Sequence, residues 1–268
     1  MSASANGSPA KPDWQPALYK RFAGERERPA LDLIQRVPLD RPDFILDVGC
    51  GAGNVTALLR ERWPQSRLLG MDNSPAMLTA ARRLLPEVAF VEGDAARWTP
   101  PEPPDLLFTN AVLQWLPHHE TLFPRLFGLV RPGGVMAVQM PRNHGRPSHT
   151  LMIETAKSGP WRAKLATQID RPAPVAEPAF YARLMAPLAD NVEIWETDYL
   201  MRLAGDNPVV TWTRATGLRP FMEPLDEDEK TRFEADYAER IRKAYPPEAD
   251  GSTLFAFKRI FILAVRPA

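Results

Sequence analysis

Asp47-Val48-Gly49-Cys50-Gly51-Ala52-Gly53 sets three glycines at alternate positions behind a carboxylate. Glycine lets a backbone turn sharply, adopt positive φ and approach a ligand with no Cβ in the way. Such a turn suits a nucleotide-like ligand held by main-chain contact. Dinucleotide sites use G-x-G-x-x-G/A; counted from Gly49, the position of the last glycine is Asn54, so that fingerprint fails. A second carboxylate, Asp72, follows the turn at the interval of about 20 residues at which an acid accepts hydrogen bonds from ribose hydroxyls. Ser74 can cap the next helix by itself, which leaves Asp72 for a ligand. Further along come Val91-Glu92-Gly93-Asp94-Ala95 and Asn110.

Each of these positions falls at the end of an expected strand. Phe44–Val48, Arg67–Met71, Val88–Val91, Leu106–Thr109 and Val135–Met140 are short apolar runs. Helical periods separate them, in Asn54–Trp63, in the helix after Ser74-Pro75 and around Leu122–Val130. Alternation of this kind predicts a doubly wound, mostly parallel α/β sheet with helices on both faces. Two more strands, Val192–Leu203 and Lys258–Val265, bring the sheet to seven. The helical stretch between them is too long for an ordinary loop. Asp13–Arg36, Asn143–Asp190 and Gly205–Pro247 are expected to form a lid over the carboxyl ends of the strands, where open α/β sheets bind ligands. The charged run Asp226–Lys230 reads as a solvated helix start. Residues 1–12 read as a disordered tail, 13–141 as N-terminal helices and ligand-binding core, and 142–268 as helical cap segments plus the last two strands.

Composition narrows the partners. The 33 basic and 33 acidic side chains cancel, whereas nucleic-acid binding normally needs a basic excess. No run approaches the roughly 20 apolar residues of a membrane span. One cysteine, Cys50, fits a reducing cytoplasm and most simply fills space in the turn. A cytoplasmic monomer with a small-molecule substrate is expected, with neither nucleic acid nor membrane as partner. No metal cluster is legible. His118 and His119 are adjacent and cannot face one site, and His144 and His149 are expected to be exposed.

The D-x-G-x-G-x-G form resembles motif I of the class I S-adenosylmethionine-dependent methyltransferases. That resemblance implies S-adenosylmethionine as cofactor, with Gly49, Gly51 and Gly53 against its amino-acid half and Asp47 helping to hold its ammonium group. It also implies that Asp94 accepts from the adenine amino group, that the Ala95 N–H meets the ring, and that Asn110 opens the loop facing the methyl group. Met77 packs either on the adenine or in the helix core, and Trp115 is either helix core or a cofactor contact. Beyond the sheet core, the chain resembles the trans-aconitate 2-methyltransferase family over nearly its whole length. The matching stretches are Trp14–Arg28 (WQPALYKRFAGERER), Ile45–Asn54, Met71–Leu78, Leu113–Pro117, Val138–Pro141, Thr213–Pro220 (TRATGLRP) and Leu254–Arg266. Asn143–Asp190 matches least.

This resemblance implies methylation of one carboxylate of trans-aconitate to a monomethyl ester. A carboxylate is already ionised at neutral pH, so alignment and exclusion of water can suffice, and no general base or covalent nucleophile is nominated. A tricarboxylate needs cations or donors, for which arginine forks are well shaped. By position the candidates are Arg219, Arg21, Arg26 and Arg28, with Tyr19, Tyr199 and Trp212 as donors or walls. Two other readings are a methyltransferase for another small acid or metabolite, and a nicotinamide-dependent oxidoreductase, which Asn54 disfavours. A non-catalytic cofactor-binding protein would leave the lid without a purpose.

Overall fold

Phe44–Val48 is buried at every position, as a strand covered on both faces must be. Its side chains alternate between two cores, Ile45 entering one and Phe44, Leu46 and Val48 the other. The computed structural model describes residues 27–214 and 217–268. Among these, seven strands form one sheet: β1 (Phe44–Val48), β2 (Arg67–Asp72), β3 (Ala89–Glu92), β4 (Leu106–Asn110), β5 (Val135–Pro141), β6 (Asn191–Leu203) and β7 (Thr253–Val265). Their order is β3-β2-β1-β4-β5-β7-β6. β1 to β5 are parallel, and β7 runs antiparallel between β5 and β6. The chain leaves β1 toward β2 on one side and reaches β4 on the other, so a crevice opens at the carboxyl ends of β1 and β4.

Helices Arg28–Arg36, Asn54–Arg62 and Pro75–Leu84 bury Leu33, Leu58 and Leu78 against one face. Helices His119–Leu129 and Pro178–Met185 bury Phe123 and Tyr181 against the other. Two of these helices correct the expected lid. Arg28–Arg36 was expected in the cap, yet Ala30, Leu31, Leu33 and Ile34 are sheet core. Pro178–Met185 lies within Asn143–Asp190, but Tyr181 and Met185 pack beneath β5 and β7. In both, apolar spacing on one helical face outweighs position in the chain. The tail, residues 1–12, lies outside the described residues.

β7 begins five residues before the expected Lys258, at Thr253. Its pairing with β5 stops at Pro141↔Arg259, while its pairing with β6 continues to Leu203↔Thr253. The two strands therefore project past the sheet as a ribbon, beyond the carboxyl ends of the parallel strands. Met201 and Phe255 on this ribbon join Met152, Val210, Phe233 and Tyr237 in a third core. That core is the cap, built mainly from helices Pro147–Ser158, Pro208–Arg214 and Glu227–Ala244. The last begins with a capping box between Asp226 and Glu229, the solvated start expected of that charged run.

Candidate functional site

The turn after β1 has positive φ at all three glycines: +72° at Gly49, +55° at Gly51 and +88° at Gly53. A Cβ on Gly49 would overlap a methyl carbon of Val112, whereas a Cβ on Gly51 would meet none of the described residues within 4 Å. Gly49 is thus demanded by packing, and Gly51 leaves an open cradle beside its backbone. The turn is pinned to β2 by Gly49 N–H and Cys50 N–H, which donate to the Met71 carbonyl at 2.7 and 3.0 Å. Asp72 completes the attachment: Oδ2 accepts from Gly51 N–H at 2.8 Å and Oδ1 from Ser74 N–H at 2.9 Å. Each carboxylate oxygen keeps acceptor capacity for a further donor. Ser74 caps the next helix, its Oγ accepting from Met77 N–H, while Asp72 ties the glycine turn to the start of that helix.

Asp47 is 2% exposed and accepts a hydrogen bond from the Thr56 hydroxyl at 2.6 Å. Burial pushes its pKa up to about 7, against the pull of Thr56, and the nearby Asp72 charge adds to the rise. A cation reaching this end of the turn would reverse that balance and favour the carboxylate. Cys50 is buried and free; burial, with the charges of Asp47 and Asp72, raises its thiol pKa and leaves it unreactive.

Asp94 follows β3 at the surface, its Oδ1 accepting from Ala96 N–H at 2.9 Å, and Ala95 sits half-buried beside it. Met77 is 48% exposed and Trp115 is 58% exposed, so neither is core. Met77 stands on the first turn of the helix after Asp72, beside the crevice. Asn110 ends β4; its side-chain oxygen is buried and unpartnered, and Ala111 follows at φ +59°. Gln114 also has a buried, unpartnered side-chain oxygen.

Asn110, Ala111, Gln114 and Trp115 form one wall of a cavity of about 530 Å³ beneath the cap, within the usual size of a small-molecule site. Opposite them the cavity is lined by Trp212 and Phe257, with Arg171, Arg259, His144, His149 and Gln168 as polar groups. Of the nominated substrate residues, Trp212 lies in this wall, edge-on to Phe255 and Phe257. Arg219 does not: its side chain is 75% exposed and pairs with Glu223, one helical turn on, at 2.8 Å. Tyr199 is not in the lining either. It faces the helix Arg28–Arg36, where its hydroxyl donates to Asp32 at 2.6 Å and the Arg28 guanidinium lies 5.4 Å from its ring. Tyr199 and Arg28 thus join that helix to the sheet, where Tyr199 pairs with Phe257 of the cavity wall and also feels the charge of Arg259. Tyr19, Arg21 and Arg26 lie outside the described residues.

The histidines also differ from expectation. His144 and His149 are half-buried in the cavity wall, ring centroids 5.2 Å apart. Burial, with the other ring nearby, lowers His149 to about 3; burial and the charges of Arg171 and Arg142 lower His144. The loop carrying His144 folds back because the Asn143 side chain clamps Lys258, donating to its carbonyl at 2.9 Å and accepting from its N–H at 2.8 Å, and His149 follows on the first turn of helix Pro147–Ser158. His119 is buried in the opposite layer, bonded to the Tyr181 hydroxyl at 2.7 Å and the Leu113 carbonyl at 2.9 Å. His118 is exposed beside Glu120. No cluster of metal-ligating side chains occurs among the described residues, nor does a helix long and apolar enough to cross a membrane. Arg259 had a signal in the sequence, a charge entering an apolar strand on its core face; Arg171 had none.

Comparisons with known proteins give the family and the fold. Residues 45–134 match the family model for a methyltransferase domain. The chain is 52% identical over 254 residues to the trans-aconitate 2-methyltransferase of Methylobacterium radiotolerans, covering 94% of this chain and 98% of the relative. It is 50% identical to the enzyme of that name from Azoarcus sp., covering 95% of this chain and 100% of the relative. Among solved structures, a methyltransferase of Bacillus halodurans superposes with a TM-score of 0.57 at 14% identity, over 89% of this chain and 99% of that one. Phosphoethanolamine N-methyltransferase 2 of Haemonchus contortus, in complex with S-adenosyl-L-methionine, gives 0.54 at 15% identity, over 94% and 56%. At such identities the two structures speak for the fold.

Proposed function

The chain belongs to the trans-aconitate 2-methyltransferase family, and from that premise we propose that it methylates one carboxylate of trans-aconitate, giving the monomethyl ester and S-adenosylhomocysteine. The observation that supports this best is the placement of the cavity. It opens at Asn110 and Ala111, across the crevice from the glycine turn, so that a methyl donor on the turn and an acid in the cavity meet at the end of β4.

The residues fit S-adenosylmethionine. Gly51 offers an open cradle, Asp72 presents a fixed carboxylate for the ribose, and Asp94 and Ala95 stand ready for the adenine, with the exposed Met77 against its ring. Asp47 suits the ammonium group, directly or through water. The buried side-chain oxygens of Asn110 and Gln114 suit an electropositive methyl group, since each is an acceptor without a partner. When bound, the cofactor supplies a sulfonium methyl: a carboxylate lone pair forms the new O–CH3 bond, the C–S bonding pair returns to sulfur, and no proton changes hands. The protein's part is alignment within a walled cavity. No residue is needed as a base, and His144 and His149, held neutral by burial, add no charge to disturb the site.

The balanced charge supports a small-molecule partner over nucleic acid, and the sheltered Cys50 is compatible with a reducing cytoplasm; a monomer is the simplest working unit. The test is turnover. Purified protein with S-adenosylmethionine and trans-aconitate should yield a product one methylene heavier by mass spectrometry, and should bind S-adenosylhomocysteine but not NADH. Binding of the cofactor without product from trans-aconitate would move the assignment to another acid.

A further inference from the structure

The cavity has two ends of different electrical character. At the transfer end stand Asn110 and Gln114, with amide oxygens and, among the described residues, no cation. Arg259 enters from the other side. In the sheet, Asn110 pairs with Gln139, Gln139 with Phe261, and Arg259 lies two residues farther out on β7. Two strand spacings and two residue rises put the Asn110 and Arg259 Cα atoms roughly 12 Å apart, with both side chains on the same sheet face. A six-carbon acid and an arginine side chain together span that distance.

Arg259 is only 8% exposed. Its guanidinium lies 4.6 Å from the Phe257 ring, and its strand is held at the preceding residue by the two-point clamp of Asn143 on Lys258. That is a rigid mounting for a charged group. Arg171 lines the same cavity from the loop after helix Ala166–Asp170 and makes no ion pair among the described residues.

The chemistry decides which carboxylate belongs at which end. Methyl transfer consumes the negative charge of the reacting carboxylate. A guanidinium on that group would stabilise the ground state more than the transition state and would raise the barrier. A cation on a carboxylate that keeps its charge binds both states equally. It improves KM without slowing the chemical step.

We propose that Arg259, assisted by Arg171, anchors carboxylates of the substrate that are not methylated, leaving the reacting carboxylate at the neutral Asn110 end. The site then selects acids with at least two separated carboxylates and rejects monocarboxylates. It also stops at the monoester, because a second round would turn the neutral ester toward the arginines. This inference rests on the function proposed above.

The test compares wild type with Arg259→Gln, Arg259→Lys and Arg171→Gln. Binding of S-adenosylhomocysteine at wild-type affinity verifies that each variant is folded. Arg259→Gln should raise KM for trans-aconitate about 30-fold or more while kcat falls less than about threefold. Arg259→Lys should recover part of the loss, and Arg171→Gln should raise KM by about tenfold. Crotonate, a monocarboxylate, should be turned over poorly by every form alike. An unchanged KM in Arg259→Gln, or a fall in kcat at constant KM, overturns the proposal. If Arg259→Gln does not fold, Arg259→Lys and Arg171→Gln decide, and an unchanged KM in both overturns it. Calorimetry with tricarballylate, a saturated tricarboxylate, separates this inference from the reaction. If wild type does not methylate trans-aconitate but binds tricarballylate more tightly than Arg259→Gln, the proposed function fails and the anchor stands. Equal binding by the two removes the anchor.

Discussion

The Asp72 carboxylate holds the Gly51 N–H at 2.8 Å across the crevice edge, so the proposed ribose acceptor also shapes the glycine turn. Asp72→Ala should therefore remove a ligand contact and release the turn at once. Losing a charged acceptor costs about 1.5–3 kcal/mol, which corresponds to a tenfold to hundredfold drop in S-adenosylmethionine affinity. Asp72→Asn, which can still accept from one N–H, should lose less. Calorimetry is the measurement, and wild-type affinity in a folded Asp72→Ala protein would remove Asp72 from the site.

Gly51→Ala separates the turn's shape from its use. Open space surrounds the new Cβ, but φ +55° is strained for alanine, at about 1 kcal/mol. For a chain of this size that amounts to a few degrees in Tm. Cofactor affinity should fall by more than tenfold, because the Cβ fills the cradle. A protein that loses a few degrees and binds normally would make the turn purely structural.

Asp47 sets a pH dependence. Its folded pKa, near 7, is raised above the ordinary carboxylate value. The protonated group therefore contributes stability that is fully present below about pH 4 and is lost as pH rises toward 7. Cofactor binding has the opposite sign, because a cation favours the ionised form. Affinity should improve with pH and level off above about 7, falling by up to about tenfold per unit below it, with uptake of the ligand releasing a proton. The slope should vanish in Asp47→Asn. At saturating cofactor, kcat should stay flat through this range, and an acid limb in kcat itself would point to a catalytic base.

Two surface and core contrasts test the cavity's boundaries. Arg219→Ala should leave KM within about twofold, because its partner is Glu223 at the surface and such pairs are worth about 0.5 kcal/mol. His119→Gln should lower Tm by removing a bridge between Tyr181 and Leu113, while kcat stays within about threefold. A hundredfold loss of kcat in a folded His119→Gln protein would indicate a base.

The crevice was legible in the sequence because its parts are local. The glycine turn, Asp72, Asp94 and Asn110 each follow a strand, and strand ends are marked by apolar runs and turn residues. The cavity was not, because it is assembled from segments distant in the chain. His144 and His149 read as exposed loop residues, but the clamp of Asn143 on Lys258 folds His144 inward and His149 stands on the first turn of helix Pro147–Ser158. Arg28 and Tyr199 had the right chemistry for an acid, but they meet at the helix Arg28–Arg36 beside the cavity wall, with the Tyr199 hydroxyl donating to Asp32. Arg219 looked apt by its place in the cap, and the orientation of one short helix decided otherwise.

The ribbon formed by β6 and β7 beyond Arg259 divides the inheritance of the two ligands. Everything proposed for the methyl donor is written into the sheet and its strand ends. Most of the chamber for the acid hangs on helices whose own core closes around Met201 and Phe255. Substitutions under those helices can reshape the chamber while the donor crevice and Arg259, on the sheet side of the branch, keep their positions. A lineage can thus change its diet of acids by redrafting the cap alone, with the methyl supply and one charged foothold passed down intact.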